Sequence, residues 1–188
     1  MGFDWDGAVE GGGGKRLPRT NIKSGIHYCR AMRVLTIDRK TGGPYRTKAG
    51  DPKILIAWRS CGAEGLDDVP LGDSAAFRIA RILARSGADM ERVKGDDLGP
   101  ADFADKKIAE AWLVDRDGHA VWCWHNVKRN GAKVDFEPLK EADVVQRVGA
   151  QEARRLKEAA EAANARDMIA LGEGATHDTD HGDEPWNQ

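Results

Sequence analysis

The sequence has few cysteines and few aromatic residues, and it has no long apolar run. Its three cysteines are odd in number and lie far apart, at Cys29, Cys61 and Cys123, which argues against a disulfide framework and is typical of a reducing compartment. No apolar stretch approaches the ~20 residues that span a bilayer. Residues 1–6 lack the basic and apolar regions of a signal peptide. We therefore expect a cytoplasmic protein that has no membrane partner.

The sequence also lacks the common signatures of enzymes. It contains neither of the glycine-rich phosphate loops G-x-G-x-x-G and G-x-x-x-x-G-K-[ST], and neither G-x-S-x-G nor H-E-x-x-H occurs. His27 and Cys29 form an H-x-C pair, and Cys123 and His125 form a C-x-H pair. A strand spreads the two side chains of such a pair ~7 Å apart, which does not suit a zinc finger. We therefore expect no catalytic residue, no metal and no cofactor.

Basic and acidic residues are sorted along the chain. The formal net charge is only −2, yet twelve basic residues and only two acids lie between Lys15 and Arg59. Residues 172–188 contain five acids and no lysine or arginine. A polyanion is attracted to the first segment and repelled by the second. This combination is typical of proteins that hold nucleic acid loosely and recruit partners with a tail.

The segment 38–51 combines positive charge with strong turn signals. It is long for a hairpin loop, and long charged loops inside a compact domain tend to be functional. We expect it to contact phosphates through cations that flank one aromatic residue. The candidates are Arg39, Lys40, Tyr45, Arg46 and Lys48. The preceding predicted strand adds Arg30 and Arg33 to this nucleic-acid-binding set.

A strand predicted over residues 119–128 is rich in tryptophan. Its alternation places Trp122 and Trp124 on one face. Two exposed indole rings followed by Lys128 and Arg129 would suit base stacking, which is worth about 1–3 kcal/mol per base. The alternative is that both rings belong to the core and that the opposite face meets the solvent. Alternation alone does not decide between the two.

Short strands separated by turn signals, with one helix between them, predict the fold. Strands are predicted over residues 25–37, 53–59, 106–114, 119–128 and 134–136. The helix begins at Asp73 or Ser74 and ends at about Ser86. Residues 62–72 and 95–103 are predicted to be loops. The pattern indicates a mainly β protein with helices (α+β), built as a small OB-like five-stranded barrel with one inserted helix and a C-terminal helix.

The composition divides the chain into four segments. Four consecutive glycines at 11–14 have high backbone entropy and nothing to bury. Helices are predicted over 138–148 and 150–171, with a break at Gly149. The last residues are too polar to fold alone. The segments are a flexible N-terminal arm (1–23), an OB-like domain (24–138), a C-terminal helical segment (139–171) and a disordered acidic tail (172–188).

The layout of the chain is similar to that of a phage protein family known only as a domain of unknown function. The similarity rests on Met1-Gly2-Phe3-Asp4-Trp5-Asp6, a glycine-rich spacer, Leu17-Pro18, and Gly25-Ile26-His27-Tyr28 at the start of a strand. The central helix over 74–86 and a late strand pair over 105–129 also match. Members of that family are thought to be OB-fold single-stranded-DNA-binding proteins of recombination and replication modules. The resemblance implies the same fold and function here, and it implies no catalytic residues.

The C-terminal tail resembles the acidic tip of bacterial single-stranded-DNA-binding proteins. An acidic string ends in proline and an aromatic residue, and its members are Asp180, Asp183, Glu184, Pro185 and Trp186. In that family the tip docks replication and repair enzymes through the aromatic ring and the acids. There the aromatic residue is the last one, whereas Asn187 and Gln188 follow it here. The resemblance implies a tail that binds replication or recombination proteins.

We predict a non-enzymatic protein that binds single-stranded DNA in phage-type replication or recombination. Two alternatives stay open: a protein-interaction or assembly module without nucleic-acid binding, and a small metal-dependent nuclease. The nuclease would hold Mg²⁺ with two loop carboxylates. Those available are Asp67, Asp68, Asp96, Asp97, Asp102 and Asp105. The sequence also leaves open whether the protein forms a homo-oligomer.

Overall fold

The computed structural model describes residues 20–131 and 133–175. The strands are β1 (Thr20–Asn21), β2 (Gly25–Leu35), β3 (Lys53–Ser60), β4 (Ala63–Pro70), β5 (Asp115–Arg116), β6 (His119–Ala120), β7 (Trp122–Asn130) and β8 (Lys133–Leu139). The helices are α1 (Ala76–Arg85), α2 (Met90–Gly95), α3 (Lys106–Leu113), α4 (Glu141–Val148) and α5 (Ala150–Ala175). Short 3-10 turns over Asp73–Ala75 and Pro100–Ala104 precede α1 and α3.

Six strands form one sheet in the order β1-β4-β3-β2-β7-β8. The short β1 is parallel to β4, and the other neighbours are antiparallel. β5 and β6 make a separate hairpin. The α+β class predicted from the sequence is therefore confirmed. The sheet is not closed into a barrel, because β1 and β8 are its two edges.

The sheet is strongly curled, so that β4 and β8 approach each other without pairing. Gly65 on β4 faces Phe136 on β8, and a Cβ atom on Gly65 would lie only 2.8 Å from the Phe136 ring. Arg78 on α1 donates hydrogen bonds both to Asp67 on β4 and to Asp135 on β8. Glycine at position 65 is therefore required by close packing. The arginine links the two strands across the gap.

The curl is centred on β2, the longest strand. Its first half, from Gly25 to Arg30, pairs with β7, and its second half, from Arg30 to Leu35, pairs with β3. The register shifts between Ala31 and Arg33, and such a bulge bends a strand and increases its twist. β2 therefore passes from one half of the sheet to the other.

Each face of the sheet packs against helices. On the inner face, side chains such as Cys29, Trp58 and Cys123 join one large core beneath α1 and α3. On the outer face, Trp124 and Leu139 join a smaller cluster with side chains of α4 and α5, including Val144 and Ala153. No helix among the described residues combines the length and apolar composition that a bilayer crossing requires.

Several local predictions are confirmed. The central helix forms as a 3-10 turn followed by α1, and Gly87 follows it with a φ of +77°. Asp117 and Gly118 make the turn of the β5–β6 hairpin. Gly149 separates α4 from α5 with a φ of +85°. The first of these two helices begins at Glu141 rather than at 138, since residues up to Leu139 belong to β8.

The strand predicted over residues 106–114 is wrong, because this segment is the helix α3. The Asp105 carboxylate accepts hydrogen bonds from the backbone N–H groups of Lys107 and Ile108, at 2.8 and 3.2 Å. Such a side chain satisfies N–H groups that the first helical turn leaves unpaired. The apolar side chains recur at helical rather than alternating spacing, so that Ala109 and Trp112 are buried together.

The loop predicted over residues 62–72 is also wrong, because most of it is the strand β4. The acids in this segment favour a turn locally, but Asp67 is fully buried and paired with Arg78. The pairing of β4 with β3 extends from Ala63 to Pro70. Within the other predicted loop, 95–103, the structure has the 3-10 turn that begins at Pro100. In β4, the pairing with β3 and the contact of Asp67 with Arg78 thus override the local turn signal.

Candidate nucleic-acid interface

The β2–β3 loop, residues 36–52, is held in a defined shape by backbone hydrogen bonds. The backbone N–H of Tyr45 donates to the carbonyl of Thr36 (3.1 Å), and the carbonyl of Tyr45 accepts from the backbone N–H of Lys53 (3.0 Å). Asp38 donates to the carbonyl of Gly43 (2.8 Å) and so closes the first turn. Because its backbone groups are paired internally, the loop presents its side chains from an ordered scaffold.

A second turn lies at the other end of this loop. The backbone N–H of Thr47 donates to the carbonyl of Asp51 (2.9 Å), and the backbone N–H of Gly50 donates to the carbonyl of Thr47 (3.0 Å). Gly50 has a φ of +94°, which favours glycine. The Arg46 guanidinium donates to the Gly50 carbonyl at 2.7 Å. Arg46 therefore stabilises the turn with one of its N–H groups while the residue stays exposed.

The loop brings together all five of the residues predicted for it. Arg39 and Lys40 lie in the first turn, and Lys48 lies in the second. All three are exposed, and Tyr45 between the turns is half-buried. The structure thus places these cations in the two turns of one ordered loop, with Tyr45 between the turns. Cations presented in this way can contact phosphates, and a tyrosine ring can stack on a base where it is exposed.

The predicted Lys128 and Arg129 lie elsewhere, in the β7–β8 hairpin. Lys128 Nζ lies 3.2 Å from a carboxylate oxygen of Glu137. A hydrogen bond from Asn126 and then the Lys128 ammonium group hold the pKa of Glu137 below its usual value. Arg129 donates to the carbonyls of Gly131 (3.1 Å) and Ile22 (3.3 Å). Both cations are exposed but already have partners.

The hairpin and the loop lie at opposite ends of β2. Val127, next to Lys128, pairs with Gly25 at the start of β2. The β2–β3 loop begins immediately after Leu35, where β2 ends. The structure therefore divides the exposed cations among those predicted into two groups, one at each end of the central strand. The outer face of the sheet lies between them.

The outer face between these groups carries three arginines, which we name the arginine row: Arg30, Arg33 and Arg59. Arg30 and Arg59 are directly opposite each other on β2 and β3. Glu64 on β4 accepts from Arg33 at 3.3 Å and lies 3.9 Å from Arg59. Arg59 is only 6 % exposed. Arg30 and Arg33 were predicted from the sequence to bind nucleic acid. Arg59, near the end of the apolar strand β3, was not.

Helix α5 crosses the arginine row. Arg30 Nη1 donates to Asn164 Oδ1 at 2.7 Å, and Arg59 Nε donates to Asp167 Oδ2 at 2.8 Å. Earlier in the helix, Lys157 Nζ lies 5.4 Å from the centre of the Tyr28 ring. Sequence reasoning missed Asn164 and Asp167. Their signal was their spacing, because Asn164 follows the buried Ala160 by four residues and Asp167 follows the buried Ala163 by four.

The two tryptophans of β7 share the outer face, as predicted, but this face is covered. Trp124 is only 4 % exposed and packs beneath α4 and α5. A ring buried to this extent has no face for a base, so Trp124 does not belong to the stacking set. Trp122 is half-buried and stacks on Tyr28, with ring centres 4.9 Å apart and planes inclined by 12°. The core alternative therefore holds for Trp124.

A polar group lies within the inner core, and it includes Asp67, one of the carboxylates considered for Mg²⁺, and His125, one of the residues considered for zinc. Asp67 is fully buried, and burial raises its pKa to about 6 although the Arg78 guanidinium lowers it. His125 is also fully buried and lies against Trp58, with ring centres 4.4 Å apart. Burial lowers the pKa of His125 to about 3, against a weaker effect of the Cys123 backbone. These groups belong to the packed interior rather than to a surface site.

The histidine and cysteine pairs considered for zinc meet across two strands. The register places His27 opposite His125 and Cys29 opposite Cys123. His27, however, bonds through Nε2 to the Lys23 carbonyl at 3.0 Å. Within residues 20–131 and 133–175, no group of three or more histidine, cysteine or acidic side chains is placed to hold a metal ion. All three cysteines are free thiols.

The predicted partner-binding tail, Asp180, Asp183, Glu184, Pro185 and Trp186, lies outside the described residues. Most of the predicted N-terminal arm does so too. No protein-family model and no curated protein matches this chain. Function is therefore inferred from the residues of the chain and from their placement.

Proposed function

We propose that this cytoplasmic protein binds single-stranded DNA without catalysis, on an OB-like sheet, in phage-type replication or recombination. The observation that supports this most directly is the ordered β2–β3 loop. It holds Arg39, Lys40 and Lys48 exposed in the turns on either side of Tyr45. A chain neutralising phosphates with such cations gains free energy from the release of counterions.

The strand order supports an OB-like description of the sheet. Apart from the short β1, five antiparallel strands follow the order β4-β3-β2-β7-β8. The helices α1, α2 and α3 are inserted between the third and fourth of these strands in the chain. The outermost two, β4 and β8, approach each other at Gly65 and Phe136. A five-stranded, partly open Greek-key barrel has this arrangement.

The positions of the cations agree with this description. Barrels of this type bind oligonucleotides on the face of their second and third strands, flanked by the loops after the first and the fourth. Here these loops are the β2–β3 loop and the β7–β8 hairpin, and both present exposed cations, such as Lys48 and Lys128. The outer face between them carries the arginine row, with Arg59 on the second of these strands and Arg30 and Arg33 on the first. A bound strand would contact both loops, and it would cross this face where α4 and α5 leave it accessible.

Filter binding of a labelled single-stranded oligonucleotide tests the proposal. We expect the double variant Lys40→Gln, Lys48→Gln to bind more weakly and with a smaller salt dependence, by about 0.7 in slope for each lost phosphate contact. The matched control is Lys94→Gln, Lys107→Gln, which removes the same charge from α2 and α3. We expect this control to bind almost as the unchanged protein does.

Three results would contradict the proposal: no binding at low salt, binding indifferent to salt, or equal weakening by the loop and control variants. The first result would favour the interaction-module alternative. One observation supports that alternative, namely that the apolar Met168 and Ile169 near the end of α5 are 46 % and 60 % exposed. On the present proposal, recruitment of replication or recombination proteins belongs to the acidic tail.

A further inference from the structure

The arginine row has the chemistry of a phosphate-binding site. Arg30 and Arg59 face each other on neighbouring strands, and Arg33 shares the Glu64 carboxylate with Arg59. Guanidinium groups bind phosphate and carboxylate oxygens with the same paired N–H donors. Three such groups on adjacent strands suit a phosphodiester backbone that crosses them.

Two side chains of α5 already bind arginines of this row. The Asn164 amide oxygen accepts from Arg30, and the Asp167 carboxylate accepts from Arg59. Both acceptors stand on α5, whose last turns therefore lie where a bound strand would place its phosphate oxygens. A strand and α5 cannot use the same N–H groups at the same time.

The end of α5 is held less firmly than its beginning. Ala153, Ala160 and Ala163 are buried against the sheet. After Ala163, the described side chains are exposed except those of Asn164 and Asp167, which are half-buried. Polar contacts to the arginine row, rather than apolar burial, hold these last turns. Segments with few buried apolar contacts open at a low free-energy cost.

We infer that the end of α5, residues 164–170, is a displaceable cover over a phosphate-binding site formed by Arg30 and Arg59. This inference rests on the proposed function and adds a built-in competitor to it. The carboxylate of Asp167 and the amide of Asn164 occupy the guanidinium groups until a strand replaces them. The apparent dissociation constant then equals the intrinsic one divided by the fraction of molecules in which the cover is open.

Two variants weaken the cover in different ways. Asp167→Ala removes the contact to Arg59 and one negative charge, and Asn164→Ala removes the contact to Arg30 without changing charge. We expect each to bind a single-stranded oligonucleotide several-fold more tightly, by about tenfold for Asp167→Ala, which corresponds to about 1.4 kcal/mol. The matched control is Glu158→Ala, since Glu158 is exposed on the same helix. It should change affinity by no more than about twofold.

Hydrogen exchange of the unchanged full chain gives a readout that does not depend on net charge. Adding oligonucleotide should increase amide exchange in residues 164–170. Exchange in the first half of α5, around Ala153 and Ala160, should stay the same, because its apolar contacts are not displaced. Circular dichroism checks that the variants keep their helical content. Asn164→Ala leaves both acidic partners of Arg59 in place, so it tests the inference even if Asp167→Ala unfolds.

The outcomes separate this inference from the proposed function. If the unchanged protein binds but Asp167→Ala and Asn164→Ala match Glu158→Ala, the cover is refuted and the proposed function stands. Increased protection of residues 164–170 on binding would also refute it. If neither the unchanged protein nor any variant binds, both proposals fail. Binding by the unchanged protein at low salt that is strengthened in both the Asp167→Ala and the Asn164→Ala variants supports both.

Discussion

At the scale of single residues, the buried His125 is the group with the clearest physical consequence. Its ring packs between Trp58 and Phe136, with ring centres 4.4 and 5.4 Å away. Neither ring nitrogen has a hydrogen-bond partner of good geometry among the described residues. A charged imidazolium at this position would lack both water and a counter-ion, which is why burial lowers its pKa to about 3.

The variant His125→Leu tests this description through pH. The unfolded chain binds a proton on His125 below pH 6.5, whereas the folded protein binds it only near pH 3. Stability supplied by the neutral ring is therefore lost as the pH falls between these values. We expect the stability of the unchanged protein relative to His125→Leu to fall by about 1.4 kcal/mol per pH unit below 6.5.

Urea unfolding of both proteins from pH 7 to pH 4.5 measures this difference. Asp67 acts in the opposite direction, since its raised pKa makes the folded state less stable as the pH rises from about 4 to about 6. Asp67 is present in both proteins, so its effect largely cancels when they are compared. Parallel stability curves would show that His125 is not shielded from water.

At the scale of elements, local signals predicted some features well. The 3-10 turn that leads into α1 begins at Asp73, Gly87 follows the helix, and Gly149 divides the two C-terminal helices. These signals act over a few residues, so the sequence shows them directly. β4 is different, because its existence depends on the pairing with β3 and on the contact of Asp67 with Arg78, eleven positions later.

The misassigned helix α3 was predictable from its first residues. Asp105 stands before two lysines and an apolar pattern at helical spacing, as an N-cap residue does. The apolar content of the segment was instead interpreted as a strand. Because a cap is a local interaction, its contribution to stability can be measured with a single substitution.

We expect Asp105→Ala to lower the free energy of unfolding by about 1 kcal/mol. The carboxylate accepts from the N–H groups of Lys107 and Ile108, and alanine leaves both without a side-chain acceptor. Asp105→Asn is the matched control, since asparagine caps about as well and should retain most of the stability. Urea denaturation measures both. Equal losses in the two variants would show that capping is not the cause.

At the scale of the whole molecule, the sequence predicted where positive charge is concentrated but not which cations are paired. Lys53 Nζ lies 2.7 Å from Asp68 Oδ2. Arg59 Nε donates a hydrogen bond to Asp167 Oδ2, more than a hundred residues later. The first pairing forms within the β3–β4 strand pair, and the second arises only when the sheet and α5 come together. The same holds for Trp124, since the helices that cover it are distant in sequence. The exposed loop cations were predictable because they depend on local turns alone.

The distance between the two exposed cation groups should set the length of oligonucleotide that can contact both. β2 has 11 residues, so at about 3.3 Å per residue its ends are up to roughly 33 Å apart. A short oligonucleotide can contact the group around Lys48 or the group around Lys128, but not both. A longer one can contact both and releases more counterions. We therefore expect the salt dependence of binding to steepen with length, from about 4 to about 16 nucleotides, and then to stay constant.

The double variant Lys128→Gln, Lys133→Gln distinguishes this arrangement from binding at the loop alone. With an oligonucleotide of about 16 nucleotides, the variant should bind more weakly and with a slope reduced by about 0.7 per lost contact. With about 4 nucleotides, which reach only one group at a time, it should lose no more than about a factor of two. If the slope is the same at both lengths, or if the variant never affects the longer strand, the hairpin takes no part. The path of the strand would then be confined to the β2–β3 loop and its surroundings, because only contact with the hairpin cations requires the strand to extend to the other end of β2.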